Sequence, residues 1–186
     1  MELIQYTKES GGRETADSIL ALEDTAWPRE PGEGDFPSAP ETYDTSFVLM
    51  EGGMAVCHVG VRKSRLYHMG QEYLAYGLSE VVTRPGLQGQ GLASRLIREA
   101  AGYITAGPAD LSIFTCARER VPLYARGGWE PAPRACLVGG TAKEPFRSDS
   151  LGLVTMIRLI SPKAMEHRKD FEGTDICLEL GAGQLW

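Results

Sequence analysis

A chain of 186 residues, 42% hydrophobic and with a formal charge of -6, is most simply one domain over residues 1–186, able to bury a core without staples. No apolar run approaches the ~18 residues a membrane span needs, and the opening MELIQYTKESGGRE lacks the basic-then-apolar order of a secretory signal, so no membrane partner and a cytoplasmic location are expected. The acidic balance argues against a nucleic-acid partner and suits a cationic substrate, although solubility alone also explains it.

Residues 13–26 (RETADSILALEDTA) place Ala16, Ile19, Leu20 and Glu23 at helical spacing, and Trp27-Pro28 should end that helix. PREPGEGDFPSAP, from Pro28 to Pro40, reads as a long loop. TSFVLMEGGMAVCHVGV is two apolar runs around Gly52-Gly53, a hairpin. Arg62 to Met69 and Glu72 to Thr83 read as two further strands, turning at Gly70-Gln71. Leu92, Leu96, Ile97, Ala100 and Ile104 form one helical face after a glycine-rich turn. ADLSIFT is a strand, VPLYARGG a short helix, WEPAPRACLVGG a strand interrupted by prolines and LGLVTMIRLI a last strand; the tail from Ser161 is polar except for DICLEL. The order implies an α/β domain with a mixed sheet. Cys57, Cys116, Cys136 and Cys177 form no CxxC pair, and the three histidines complete no ligand spacing, so no metal is expected.

The turn RPGLQGQGLAS, Arg84 to Ser94, joins a strand to a helix N-terminus, where unpaired N–H groups and the positive end of the helix dipole favour a phosphate. It lacks the Lys after Gly91 that a P-loop needs. It also lacks the third glycine of a dinucleotide fingerprint, and it follows four strands rather than one.

VVTRPGLQGQGLASRLI resembles the acetyl-coenzyme A loop of the GNAT N-acetyltransferases: Gln or Arg, two residues, Gly, one residue, then Gly or Ala, here Gln88-Gly89-Gln90-Gly91-Leu92-Ala93. About forty residues on, Pro122-Leu123-Tyr124-Ala125-Arg126-Gly127-Gly128-Trp129 resembles that family's helix motif. The resemblance implies a GNAT fold: a mixed, mostly antiparallel sheet of about six or seven strands flanked by helices, with a splayed central pair. It implies that Gln88, Gly89, Gln90, Gly91, Leu92, Ala93 and Ser94 cradle the pyrophosphate of acetyl-coenzyme A, and that the main chain of Val81, Val82 and Thr83 pairs with its pantetheine arm. Acetyl transfer needs a neutral amine, a polarised thioester and a proton for the departing thiol. The family places Tyr124 as that acid. Glu80 stands where a base could take the amine proton directly or through water; it could equally bind a cationic substrate, or be a plain strand residue.

Within the superfamily the sequence resembles the aminoglycoside 2'-N-acetyltransferases nearly end to end: GDF (Gly34 to Phe36), HVGVRKSRLYHMG, the coenzyme loop, LYARGGW, and a tail of Ala182-Gly183-Gln184-Leu185-Trp186. The likeness implies that Asp35 and Asp149 bind substrate, and that the carboxylate of the terminal Trp186 reaches the drug. Ser79, with Glu80 beside it, and Gln184 take the places of two family acids. Fewer acids fit an acceptor with fewer amines than gentamicin or tobramycin, such as kasugamycin. A homodimer is the family expectation. The alternatives are a GNAT enzyme acting on another amine (polyamine, peptide N-terminus, metabolite) and a coenzyme A-binding or sequestering protein without turnover.

Overall fold

The computed structural model describes residues 1–29 and 34–186. Its strands are β1 (Glu2–Tyr6), β2 (Tyr43–Glu51), β3 (Met54–His68), β4 (Gln71–Thr83), β5 (Leu111–Cys116), β6 (Glu130–Pro131), β7 (Cys136–Gly140), β8 (Pro145–Arg147), β9 (Val154–Leu159) and β10 (Asp175–Cys177). The α-helices are α1 (Arg13–Glu23), α2 (Leu92–Ala106), α3 (Val121–Ala125) and α4 (Pro162–Glu166). Seven strands form a mostly antiparallel sheet in the order β1-β2-β3-β4-β5-β9-β6, and β10-β7-β8 form a second, smaller sheet. This is the mixed α/β architecture the sequence led us to expect. The chain divides into two compact units, residues 1–62 with 78–100 and residues 63–77 with 101–186.

In the first unit, Gly52 and Gly53 both have positive φ (57° and 79°), the backbone of the tight turn that joins β2 to β3. β1, which no alternating pattern announced, pairs antiparallel with β2 from Glu2↔Met50 to Tyr6↔Ser46. Ile19 and Leu22 of α1 pack with Tyr6, Tyr43, Val48, Met50, Ala55 and Val82 in one buried cluster, and Phe36 lies against it. The helix stops at Glu23, three residues before the expected end. Thr25 and Ala26 instead donate to the carbonyls of Leu22 and Glu23, the tightened exit of a helix that a Trp-Pro pair cannot continue.

The expected break at Arg62 does not occur: β3 runs unbroken to His68. The change there from apolar to polar side chains marks a change of exposure, not a turn. The chain reverses one residue earlier than expected, at Met69-Gly70, both with positive φ (47° and 78°).

In the second unit, β5 pairs parallel with β4 only at Ala75↔Leu111 and Tyr76↔Ser112, whereas its antiparallel ladder with β9 runs its full length. The expected strand over WEPAPRACLVGG resolves into β6 and β7, which belong to different sheets, because its two prolines cannot donate to a continuous ladder. The polar tail is more structured than its composition suggested. Ser161 Oγ caps α4 by accepting from the N–H of Ala164. Phe171 stacks on His68 at 5.1 Å, and β10 pairs parallel with β7.

Candidate active site

The glycine turn has the backbone expected of an anion cradle. Gly86, Gly89 and Gly91 have φ of 87°, 78° and 79°, a region costly for any residue with a Cβ. A Cβ at Gly89 or Gly91 would meet nothing within 4 Å. Glycine is therefore required there by backbone conformation, and space remains for a ligand. α2 begins at Leu92, and Arg95 N–H to Gly91 O is the bond that joins turn to helix. The N–H groups of the first turn, on Leu92, Ala93 and Ser94, have no partner within the helix by construction. Gln88, Gly89, Gln90 and Gly91 are exposed, and Leu92, Ala93 and Ser94 are half-buried. The turn is anchored from behind: Arg84 donates its N–H to Val56 O and a guanidinium N–H to Ala55 O, and Gln88 Nε2 reaches Thr83 O at 3.3 Å. Val82 is buried, while Val81 and Thr83 are half-buried. The open glycine turn at the head of α2 is one that a phosphate could approach.

Two residues before Val82, Glu80 has φ 47°, unusual for a non-glycine residue inside a strand. The carbonyl and both carboxylate oxygens of Glu80 are met. Its carbonyl accepts from His58 Nδ1 at 2.9 Å. Its Oε1 accepts from Ser38 Oγ at 3.0 Å and from Arg62 Nη2, and its Oε2 accepts from Ser79 Oγ at 2.6 Å. The carboxylate folds back over Gly60, where a Cβ would lie 2.7 Å from Oε2. Burial works to raise the Glu80 carboxyl, and Arg62, the Ser79 hydroxyl and His58 outweigh it, holding the group below its ordinary value. It is ionised at neutral pH and already hydrogen-bonded.

Arg62 is 2% exposed. Besides Glu80 it donates to Ser79 Oγ (3.0 Å), Ala39 O (2.7 Å) and Ser38 Oγ (2.9 Å), and its guanidinium lies 5.7 Å from the Tyr43 ring centroid. Behind it His58 is wholly buried. Because Nδ1 donates to a carbonyl, Nε2 is left to accept from Ser46 Oγ at 2.8 Å. Burial holds His58 down at about 4. Glu23, at the end of α1, places Oε1 3.4 Å from His58 Nδ1, and that oxygen finds no hydrogen-bond partner among the described residues. Burial, with Glu80 second, raises the Glu23 carboxyl to about 8. Both members of this contact are therefore uncharged at neutral pH. Sequence reasoning identified none of Arg62, His58 or Glu23. The one available signal was His58, a titratable residue inside the apolar run AVCHVGV.

In the second unit Tyr124 is buried, edge-on to Phe114 with centroids 4.8 Å apart. Burial first, and the neighbouring Cys116 thiol second, push its phenol above the ordinary range, so it keeps its proton at neutral pH and has one to donate. The Gly127-Gly128-Trp129 exit fixes the residue. Gly127 and Trp129 N–H both donate to Tyr124 O, and Trp129 Nε1 donates to Ser112 Oγ at 3.0 Å.

The tail runs beside β7, where Gly140 N–H donates to Gln184 O. Trp186 ends against β4 and β5. Its ring occupies the space a Cβ on Gly77 would need (2.4 Å from Cε3), and Thr115 donates to its carbonyl oxygen from N at 2.7 Å. The Gln184 side chain is exposed. Asp149 is exposed and engaged: both its oxygens accept from Arg147, which also grips Asp175. Asp35 is exposed and makes no ion pair among the described residues. Of the candidate residues, then, Ser79 joins Glu80 in one hydrogen-bonded cluster, Gln88 joins Thr83, and Asp149 and Asp35 belong to neither group. No group of residues able to hold a metal ion occurs among the described residues.

The profile of the acetyltransferase (GNAT) domain matches residues 10–132. No curated protein sequence matches the chain. Among solved structures, a probable N-acyltransferase from Enterococcus faecalis is similar (TM-score 0.58, 18% identity, 71% of this chain), and this chain covers 33% of its length. A GNAT family acetyltransferase from Brucella melitensis in complex with acetyl-CoA superposes with a TM-score of 0.56 at 17% identity, covering 87% of this chain and 90% of that one. An aminoglycoside 6'-N-acetyltransferase complexed with coenzyme A does so at 0.58 and 12%, covering 87% and 98%. At these identities the structures speak for the fold alone. The profile match, in contrast, takes in both the glycine turn and the Pro122 to Trp129 segment, and the chain belongs to the GNAT acetyltransferase family.

Proposed function

We propose that the protein transfers an acetyl group from acetyl-coenzyme A to the 2'-amino group of an aminoglycoside with few amines, kasugamycin foremost, with antibiotic resistance as the consequence. The observation that carries the reading is the left-handed glycine turn at the head of α2 in a chain of this family. That two solved neighbours are complexes with acetyl-CoA or coenzyme A supports the same cosubstrate here.

Acetyl-coenzyme A supplies an activated thioester. The main-chain N–H groups from Gly89 to Ser94 hold the pyrophosphate, and the backbone of Val81 to Thr83 orients the pantetheine arm. The acceptor nitrogen attacks the carbonyl carbon, so that a C–N bond forms as the C–S bond breaks. Tyr124 donates its phenolic proton to the departing sulfur and regains one from the amine through water. Glu80 and Ser79 face the amine, with the Glu80 carboxylate already hydrogen-bonded. Asp35, exposed and without an ion pair among the described residues, and Asp149, Gln184 and Trp186 contact the remainder of the acceptor. The preference for few amines is supported by Glu80 and Asp149 both lying in ion pairs. A polycation would need carboxylates that are not so occupied.

The test is thiol release from acetyl-coenzyme A with kasugamycin, gentamicin, spermidine and a short peptide side by side. Release with kasugamycin alone supports the whole reading. Release with gentamicin instead keeps the enzyme and removes the choice of drug. Binding of acetyl-coenzyme A without release for any acceptor would replace the enzyme by a binding protein.

A further inference from the structure

We infer that Arg62 sets acceptor specificity: by occupying the Glu80 carboxylate it makes the adjoining subsite one that takes an amine as its free base and not as an ammonium ion. The inference rests on the reading above that Glu80 faces the acceptor amine. An exposed carboxylate in an acetyltransferase would hold a substrate ammonium, then accept its proton. Here the carboxylate is closed to the first task. Arg62 Nη2 and Ser38 Oγ address Oε1, Ser79 Oγ addresses Oε2, and Gly60 provides the space into which the group folds back.

Arg62 is too well held to yield. It is 2% exposed and also donates to Ala39 O and Ser79 Oγ, and removing a buried partner of such a pair leaves an uncompensated charge. An arriving ammonium would have to displace a bound guanidinium or sit beside a neutral pair, losing hydration without a counter-charge.

Among the described residues, the other titratable groups facing Glu80 do not supply one. His58 from β3 donates to the Glu80 carbonyl and is held neutral. Glu23 from α1 lies 3.4 Å from His58 and keeps its proton to about pH 8. Tyr43 from β2 stacks with Arg62 and is pushed above its ordinary range, chiefly by burial. Arg29, beyond Glu23, adds positive charge. The substrate class is therefore a weakly basic primary amine, one whose neighbouring hydroxyl and ring oxygens withdraw electrons, as on an amino sugar. Strongly basic alkylamines such as polyamines are excluded.

Two measurements test this on the intact protein. The first needs no turnover and no variant. Calorimetric binding of glucosamine, kasugamycin and spermidine to the coenzyme A-loaded protein is run in two buffers of different ionisation enthalpy, at a pH one unit below each amine's own pKa. Expected is release of about one proton per bound amino sugar, with spermidine binding at least tenfold more weakly. Binding without proton release, or tighter binding of spermidine, overturns the inference while leaving acetyl transfer untouched.

The second compares Arg62→Gln and Arg62→Lys. Arg62→Gln should shift the spermidine-to-kasugamycin kcat/KM ratio at least tenfold toward spermidine. Arg62→Lys, which keeps the positive charge, should hold the ratio within threefold of wild type. A folded Arg62→Gln protein with the wild-type ratio refutes the role. If that variant does not fold, the proton count decides. Failure of acetyl transfer with every acceptor would show separately, as absent thiol release.

Discussion

Gly60 on β3 and Glu80 on β4 share one volume: a Cβ on residue 60 would lie 2.7 Å from Glu80 Oε2 and 3.0 Å from Ser79 O. The carboxylate can fold back toward Arg62 only because residue 60 has no side chain. We predict that Gly60→Ala pushes Glu80 out of its hydrogen-bonded position. Overpacking of this kind costs about 1 to 3 kcal/mol, to be read by urea denaturation. The KM for the acceptor should rise while that for acetyl-coenzyme A is unchanged. Unaltered stability together with an unaltered acceptor KM would mean that the position of Glu80 does not depend on residue 60.

The Glu23 carboxyl, raised from 4.5 to about 8, makes stability depend on pH with a definite sign. The folded state binds this proton more tightly than the unfolded chain. The stability it contributes is therefore complete below pH 4.5 and is lost as pH rises through about 8. His58, lowered from 6.5 to about 4, acts in the opposite sense, and its contribution is lost only as pH falls from 6.5 toward 4. Between pH 6.5 and 8 Glu23 acts without His58, and wild-type stability should decline by about 2 kcal/mol. Glu23→Gln should remove that slope. Equal slopes for the two proteins in urea titrations at pH 6.5, 7.5 and 8.5 would contradict the assignment.

What could be read from the sequence was what short stretches encode. The Gly52-Gly53 turn, the RPGLQGQGLAS turn with its following helix, and the Pro122 to Trp129 segment each carry their conformation within a few residues. β1 was missed because ELIQY has no strict alternation and takes its definition from a strand beginning at Tyr43. The Glu80 cluster was missed for the same reason at greater cost to the chemistry. Arg62 meets its partners across 17 to 24 residues of sequence, and nothing local distinguishes it from an exposed arginine. Asp149 shows the converse. As a residue type it suits an ammonium, but Arg147, only two residues before it, takes both its oxygens, and the fold brings distant Asp175 to the same guanidinium.

The coenzyme turn should tolerate a methyl group sterically but not conformationally. Nothing lies within 4 Å of a Cβ at Gly89 or Gly91, yet both have φ near 80°, which costs an L-residue roughly 1 to 2 kcal/mol. Gly89→Ala and Gly91→Ala are each expected to leave the fold intact and raise the KM for acetyl-coenzyme A about tenfold, since 1.4 kcal/mol is a factor of ten. The acceptor KM should not change. If acetyl-pantetheine, which lacks the pyrophosphate, loses affinity to the same extent in these variants, the turn is not acting on the pyrophosphate.

Tyr124 separates catalysis from packing. Its ring is fixed by Phe114 at 4.8 Å and by the Trp129 and Gly127 bonds to its carbonyl, none of which involves the hydroxyl. Tyr124→Phe should therefore keep the fold, with a melting temperature within a few degrees of wild type. As a proton donor to the departing sulfur, the phenol should be worth roughly 100-fold in kcat, within the usual range for general acid catalysis, with little change in the KM for acetyl-coenzyme A. The loss should shrink for thioesters of more acidic thiols, which leave without needing a proton, and it is this dependence on the leaving group that a packing defect would not show. Full turnover by Tyr124→Phe with acetyl-coenzyme A would remove the residue from the chemistry and leave α3 a purely structural element.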